Sequence, residues 1–341
     1  MRYKLLGRSG LRVSELCLGT MTFGEEWGWG ATKEESKKIF DTYANAGGNF
    51  IDTANRYTEG TSEKYVGDFI HADRDHFVLA TKYTLFTRKD DPNFSGNHRK
   101  NMMQAVDASL KRLNTDYIDL YWLHAWDYTT PVEEVLLGLN DLIRSGKVHY
   151  IGISDTPAWV VSRANTIAEL RGWNRFVAMQ LKYSLLDRTI EQDLLPASRF
   201  YDMAVTTWSA LGGGVLTGKY NQGDTKGRVD GSKIPEKNLK IAQKVVDIAK
   251  EVGCSPSQVA INWVRQQRAL IIPILGATKE SQVKDNIGSL EHNLSDKHIT
   301  ELNELSKFDL SFPHNFYNND NISNIIYSGV KEQIDNHHDV L

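Results

Sequence analysis

The chain has 341 residues, 40% apolar and 24% charged, enough to bury a sizeable core in one large domain or two smaller ones. Its formal net charge of −3 and the absence of a Lys/Arg block argue against nucleic acid and anionic membrane as partners and leave small molecules as the default. No apolar stretch is long enough to cross a bilayer, the opening MRYKLLGRSGLRV lacks the apolar core and cleavage site of a leader, and the 2 cysteines, Cys17 and Cys254, suit neither a disulfide framework nor a zinc site. The expectation is a cytoplasmic protein with no metal, whose cysteines are small buried hydrophobes.

In chain order, Tyr3 to Leu6 and Val13 to Leu16 flank Gly7-Arg8-Ser9-Gly10 and read as a hairpin. Beyond it, short apolar runs alternate with amphipathic helical patterns. The runs are Leu16 to Gly19, Phe50 to Asp52, Phe77 to Lys82, Ile118 to His124, His149 to Ser154, Ala178 to Lys182, Ala204 to Ser209 and Leu270 to Gly276. Helix starts are marked by Thr32 with Glu35, Thr130-Pro131 with Glu133, and Ser255-Pro256 with Gln258, each pairing an N-cap hydroxyl with an acid or amide. Val132, Val135, Leu136, Leu139, Leu142 and Ile143 form one helical face, and Ile241, Val245 and Ile248 another.

Eight strands in order, each followed by a helix, predict the α/β class: a closed (β/α)8 TIM barrel with an N-terminal β-hairpin, in one domain over residues 1–341. The rival, a doubly wound open sheet, would carry a glycine fingerprint after its first strand; Leu18 to Gly24 lacks that spacing, and Leu211 to Gly214 comes late. Tyr83 to Gly96, Gly212 to Pro235 and the tail beyond Lys307 exceed ordinary connections, and the first two follow strand C-termini, at the expected mouth. The tail reads as a substrate lid, an interface or a loose end.

Asp52, Tyr57, Lys82 and His124 stand where apolar runs give way to polar loops, so a barrel would gather them at one mouth. A free tyrosine, with a pKa of roughly 10, is a poor proton donor near neutrality unless a cation stabilises its phenolate. Lys82 can supply that cation, Asp52 can hold Lys82 charged, and His124 can orient a substrate carbonyl. The set would protonate an oxygen while a hydride arrives from elsewhere, and because no side chain donates hydride, a nicotinamide cofactor is required. Taken singly, each residue has an ordinary reading: Asp52 as a helix cap, Tyr57 as a half-buried aromatic, Lys82 as the onset of solvent, His124 as a structural histidine.

The sequence resembles the aldo-keto reductase superfamily along nearly its whole length. The likeness is carried by Gly19-Thr20, Asp52-Thr53-Ala54, Tyr57, Ser62-Glu63, Val66-Gly67, Lys82, His124, Gly152-Ile153-Ser154, Gln180 and Leu216 to Tyr220. His124 to Asp127, Gly152 to Trp159 and Gly96-Asn97-His98 resemble the branch of aryl-alcohol dehydrogenases and potassium-channel β-subunits. The resemblance implies a (β/α)8 barrel binding NADPH, with Asp52, Tyr57, Lys82 and His124 as its catalytic tetrad. It implies carbonyl reduction, with aromatic aldehydes among the substrates; Trp27, Trp29, Trp126 and Phe86, in the expected mouth loops, are compatible with lining such a site or with ordinary packing. A regulatory subunit that holds NADPH with little turnover is the alternative it leaves.

Among cofactor contacts, the resemblance places Gly19, Thr20 and Asp52, with Ser154, Asp155 and Gln180 near the nicotinamide amide and Trp208 on the ring face. Ser209, Leu211, Gly213, Gly214 and Lys219 fall in the loop around the pyrophosphate, where Lys219 is either a phosphate contact or an ordinary loop lysine. Gly276, Thr278 and Lys279 fall at the 2′-phosphate, with Gln282 and Asn286 nearer the adenine. Asp155 replaces an asparagine common in the superfamily, and Gln282 an arginine, so NADPH is expected with NADH possible.

Overall fold

The computed structural model describes residues 1–223 and 229–336, so residues 224–228 of the long segment after the seventh barrel strand and 337–341 of the tail lie outside the described residues. An antiparallel hairpin, Tyr3–Leu5 (β1) with Arg12–Ser14 (β2), precedes the barrel strands Cys17–Gly19 (β3), Phe50–Asp52 (β4), Val78–Tyr83 (β5), Ile118–Leu123 (β6), Val148–Ser154 (β7), Ala178–Lys182 (β8), Ala204–Trp208 (β9) and Ile271–Leu275 (β10). These pair in parallel and close, β10 against β3. The barrel expectation holds, with strand ends shifted by a residue or so. His124, Ser209 and Gly276 therefore stand just past their strands rather than in them.

All of β5 and β6 is buried, which is why these strands read as continuous apolar runs rather than alternating ones. The barrel interior is filled by Cys17, Phe50, Val78, Leu120, Trp122, Ala178, Ala204 and Ile272. Trp122 fits because β7 offers Gly152 beside it: a Cβ there would lie 2.3 Å from the indole. The hairpin plugs the lower end. Leu6 and Val13, both fully buried, join the interior cluster. Lys4 Nζ donates to Ile271 O at 2.9 Å and Arg8 N to Asp202 O at 2.8 Å.

The outer layer includes Lys33–Asn45 (α1), Thr61–Ile70 (α2), Arg99–Leu113 (α3), Val132–Arg144 (α4), Ala158–Arg171 (α5), Leu194–Phe200 (α6), Glu236–Val252 (α7), Pro256–Arg265 (α8), Glu280–Ile287 (α9) and Asp296–Leu305 (α10). Thr32 caps α1, and Ser255 with Gln258 forms a complete capping box on α8. The third expected cap fails: α4 begins after Pro131, and the Thr130 hydroxyl donates instead to Asp127 Oδ2 at 2.7 Å. Asp127 wins because it also accepts the amides of Asn97, Thr129 and Thr130, so its carboxylate organises the loop. The predicted apolar stripe of α4 packs on the barrel. Cys17 is buried and Cys254 half-buried, both unbonded to another cysteine. Among the described residues no helix is long and apolar enough to cross a membrane.

Candidate active site

Asp52 ends β4, Lys82 lies one residue from the end of β5, and His124 is the first residue beyond β6. The in-register pairs Asp52–Ala80 and Lys82–Trp122 set these ends at similar heights. Tyr57 opens a single 3-10 turn, Tyr57–Gly60, in which Thr58 and Glu59 adopt left-handed backbone with φ of 45° and 55°. That conformation is costly for side chains with a Cβ. It is held by the Thr58 hydroxyl, which donates to Phe23 O at 2.6 Å and accepts from Ser62 N at 3.1 Å. The turn swings the phenol back over the barrel.

There the four residues meet. The fully buried Lys82 ammonium donates to Asp52 Oδ2, to Thr53 O at 2.8 Å and to Tyr57 Oη at 3.2 Å, which uses all its protons. Asp52 Oδ1 accepts from Gln180 Nε2 at 2.9 Å, so both carboxylate oxygens are engaged. The His124 ring stands edge-on to Tyr57, 6.0 Å between centroids at 82°. Its Nδ1 is buried without a protein partner. Nearby, the buried Glu63 accepts from Thr81 Oγ1 and from the half-buried Arg112 Nε, both at 2.6 Å.

The charge states follow from burial. Burial pushes the Tyr57 phenol above its ordinary value; the Lys82 cation opposes this without overcoming it. This corrects the expectation of a phenol brought down by Lys82, because the same burial that creates the contact penalises the phenolate. Burial also works against the Lys82 charge, but Asp52 and Tyr57 more than offset it and the ammonium is held above its usual range. His124 is driven well below its ordinary value by burial and then by the Lys82 cation, so it is neutral at physiological pH. The result is a neutral phenol, a fixed ammonium and a neutral imidazole facing one opening. Such a set can give a proton to an oxygen that is gaining negative charge.

The other candidates are spread along the same rim. Gly19 ends β3, and Thr20 buttresses Asp52, donating to Asp52 O from its amide at 2.9 Å and its hydroxyl at 3.0 Å. Ser154 is in register with Gln180, and its buried Oγ has no partner in the protein. Asp155, with left-handed backbone at φ 40°, accepts the indole N–H of Trp208 at 3.2 Å. Beside it a cleft of about 250 Å³ is lined by Tyr128, Lys182, Asp187 and Leu194 among others.

In the glycine loop, Gly213 and Gly214 have φ of 65° and 90°, which a side chain would strain. Part of that loop satisfies itself, since Gly212 N donates to Ser209 O and Gly214 N to Leu211 O. Lys219 lies over the Tyr220 ring, 4.8 Å from its centroid.

Past β10, a Cβ on Gly276 would meet nothing within 4 Å. Lys279 occupies the N-cap position of α9, Asn286 is buried in that helix, and Gln282 Oε1 is taken by Thr278 N at 2.8 Å. One residue escaped sequence reasoning. Glu35, read only as part of the α1 cap, accepts the Glu280 amide at 2.8 Å and so sits at the start of α9, where an anion was expected. Its partner is 245 positions away, and no local pattern announces such a contact.

The aromatic wall is only partly as expected. Trp27 stands edge-on to Tyr57 with centroids 6.5 Å apart and contacts Trp29, while Arg56 lies between Trp27 and Phe86. Glu59 fixes this group by accepting from Trp27 Nε1 at 3.1 Å and pairing with Arg56. Trp126, half-buried, packs on one side against the outer apolar layer. An unpartnered buried hydroxyl at Ser154, an indole at the rim in Trp208 and clear space over Gly276 fit a nicotinamide nucleotide laid across the strand ends.

A parallel barrel whose strand ends converge on a buried carboxylate and ammonium and a half-buried phenol is the framework of a barrel oxidoreductase. More particularly, the chain belongs to the aldo/keto reductase family, whose sequence model matches residues 15–307. It is similar to a norsolorinic acid reductase of Aspergillus flavus, with 39% identity over 324 residues covering 92% of this chain and 82% of that protein. It is likewise similar to an aryl-alcohol dehydrogenase [NADP(+)] of Phanerodontia chrysosporium, at 36% over 342 residues, 93% of this chain and 89% of the relative. A putative aryl-alcohol dehydrogenase of Saccharomyces cerevisiae is 35% identical over 339 residues, 94% of this chain and 90% of the relative.

Proposed function

We propose that the chain is an NADP(H)-dependent reductase that converts an aldehyde or ketone to the alcohol, with aromatic aldehydes as the first substrates to try. The observation that carries this reading is the Lys82 ammonium bonded at once to Asp52, Thr53 O and Tyr57 Oη. A bound nicotinamide supplies the hydride. Tyr57, protonated because burial raises it, gives its proton to the carbonyl oxygen, and Lys82 steadies the phenolate that remains. Asp52 keeps Lys82 charged and in place. Neutral His124 orients the carbonyl with its ring edge.

Ser154 and Gln180 would hold the nicotinamide amide and Trp208 its face, while Gly213, Gly214 and Lys219 would follow the pyrophosphate. Relatives named for aryl-alcohol and norsolorinic acid chemistry, together with Trp27 edge-on to Tyr57 and Trp29 against Trp27, support a flat aromatic substrate. Lys279 is the side chain available to a 2′-phosphate. With Glu35 at the start of α9 and Gln282 turned to Thr278, NADH remains a usable second cofactor.

Fluorescence titration with NADPH and NADH, followed by nucleotide oxidation over a panel of aromatic and aliphatic aldehydes, tests the reading. Tight binding with brisk oxidation is expected. Tight binding without oxidation on any carbonyl would favour a nucleotide-holding regulatory subunit, and no binding would overturn the cofactor assignment.

A further inference from the structure

The charges around Tyr57 do not balance. Lys82 is bonded to its phenol at 3.2 Å and Asp52 to Lys82, and Asp155 is tied to the same group through Gln180, whose carbonyl accepts the Asp155 amide at 3.1 Å while its side chain bonds Asp52 at 2.9 Å; the charges of all three act on the phenol. Lys82 and Asp52 form a buried ion pair and cancel. Lys182, which reaches toward Asp155 from β8, is committed to Asp187 at 3.1 Å. Arg56 is likewise paired, with Glu59. Asp155 has no ion-pair partner among the described residues, and its one side-chain hydrogen bond, from Trp208 Nε1, brings no charge. One carboxylate thus stands uncompensated beside the phenol.

Any hydride donor that serves a carbonyl protonated by Tyr57 must lie within a few ångströms of that phenol, and therefore within the field of Asp155. In the reaction a C–H bond of the dihydropyridine breaks, the hydride and its electron pair form a C–H bond on the carbonyl carbon, and the Tyr57 proton goes to the oxygen. The carbonyl is reduced, the nicotinamide is oxidised, and its ring changes from neutral to cationic. We infer that Asp155 is a charge-complementing residue of the cofactor site: its carboxylate favours the oxidised, cationic nicotinamide over the reduced one and lowers the cost of the charge that hydride transfer creates. The inference rests on the reading of the site as a nicotinamide-dependent reductase.

Asp155→Asn separates this role from simple positioning. Asparagine tolerates the left-handed backbone at this position and keeps an oxygen for the Trp208 indole, so only the charge is lost. Dissociation constants for NADP+ and NADPH, taken by fluorescence on the full chain, should show NADP+ binding weakened by roughly three- to tenfold and NADPH little changed. The effect should shrink as salt is raised, because the cleft is open to solvent. Equal weakening of both nucleotides by Asp155→Asn, or no change in either, would overturn the inference and leave the reductase reading intact. Failure of the wild type to bind either nucleotide would overturn both.

Discussion

The two ends of the barrel are built from the same strands and finished in opposite ways. At the lower end the polar groups of the hairpin seam find partners within the chain: Ser14 N donates to Asn49 Oδ1 at 2.7 Å, and the Tyr43 hydroxyl bonds Ser14 Oγ, Leu16 O and Phe50 O within 2.8 Å. At the upper end Ser154 Oγ, His124 Nδ1 and both amide atoms of Asn55 are buried with none. A buried polar atom without a partner is destabilising, so these bonds satisfy the hairpin seam while the upper end leaves atoms that a ligand could satisfy.

The sharpest way to strain that contrast is Tyr57→Phe. It should cut turnover by about a hundred- to ten-thousandfold while nucleotide affinity and thermal stability stay near wild type; steady-state kinetics with a titration would read both, and undiminished turnover would remove Tyr57 as the acid. The reverse case is Leu6→Ala in the plug. Loss of this fully buried side chain should lower unfolding free energy by about 2–5 kcal/mol with kcat/KM unchanged, and a parallel fall in kcat/KM would show that the two ends are not independent.

A smaller effect is expected from Ser154→Ala, which removes a hydroxyl that nothing in the protein satisfies. Nucleotide affinity should fall by roughly three- to tenfold with no loss of melting temperature. If melting temperature fell instead, the hydroxyl would be serving the lower, self-completed kind of structure.

The smallest change should come from pH. His124 is held well below its usual value, so the rate of reduction should pass through the ordinary histidine range without a step. The acid form of Tyr57 is the active one and burial raises its pKa, so activity is full below that pKa and is lost only as pH rises beyond the ordinary tyrosine range. A step in the rate profile near neutrality would contradict the neutral imidazole.

The barrel was legible because its signals are local. Strands buried on both faces leave apolar runs, helices leave an N-cap at Thr32 and a capping box at Ser255, and ionisable residues at strand ends stand out against them. Asp52, Lys82, Tyr57 and His124 could be named for that reason. Their charge states could not be, because the raised Tyr57 phenol depends on burial that no pattern states. The bond between Asp155 and Trp208 joins residues 53 apart through a left-handed backbone, and the Glu35 contact spans most of the chain. Thr130 misled for the same reason: the competing acceptor, Asp127, is three residues away but is recruited by an amide from Asn97 on another loop.

The plug also sets a schedule for folding. Arg8 bonds to Asp202, ahead of β9, while Lys4 bonds to Ile271 and β3 closes against β10, so these early residues cannot reach all of their final partners until the last barrel strand has been synthesised. Until then the apolar side chains of the hairpin and of the open first strand have no permanent cover. Contacts of such long sequence separation slow folding and lengthen the interval of exposure. The seal that joins the lower end of the finished protein therefore makes its early residues depend on late ones during synthesis.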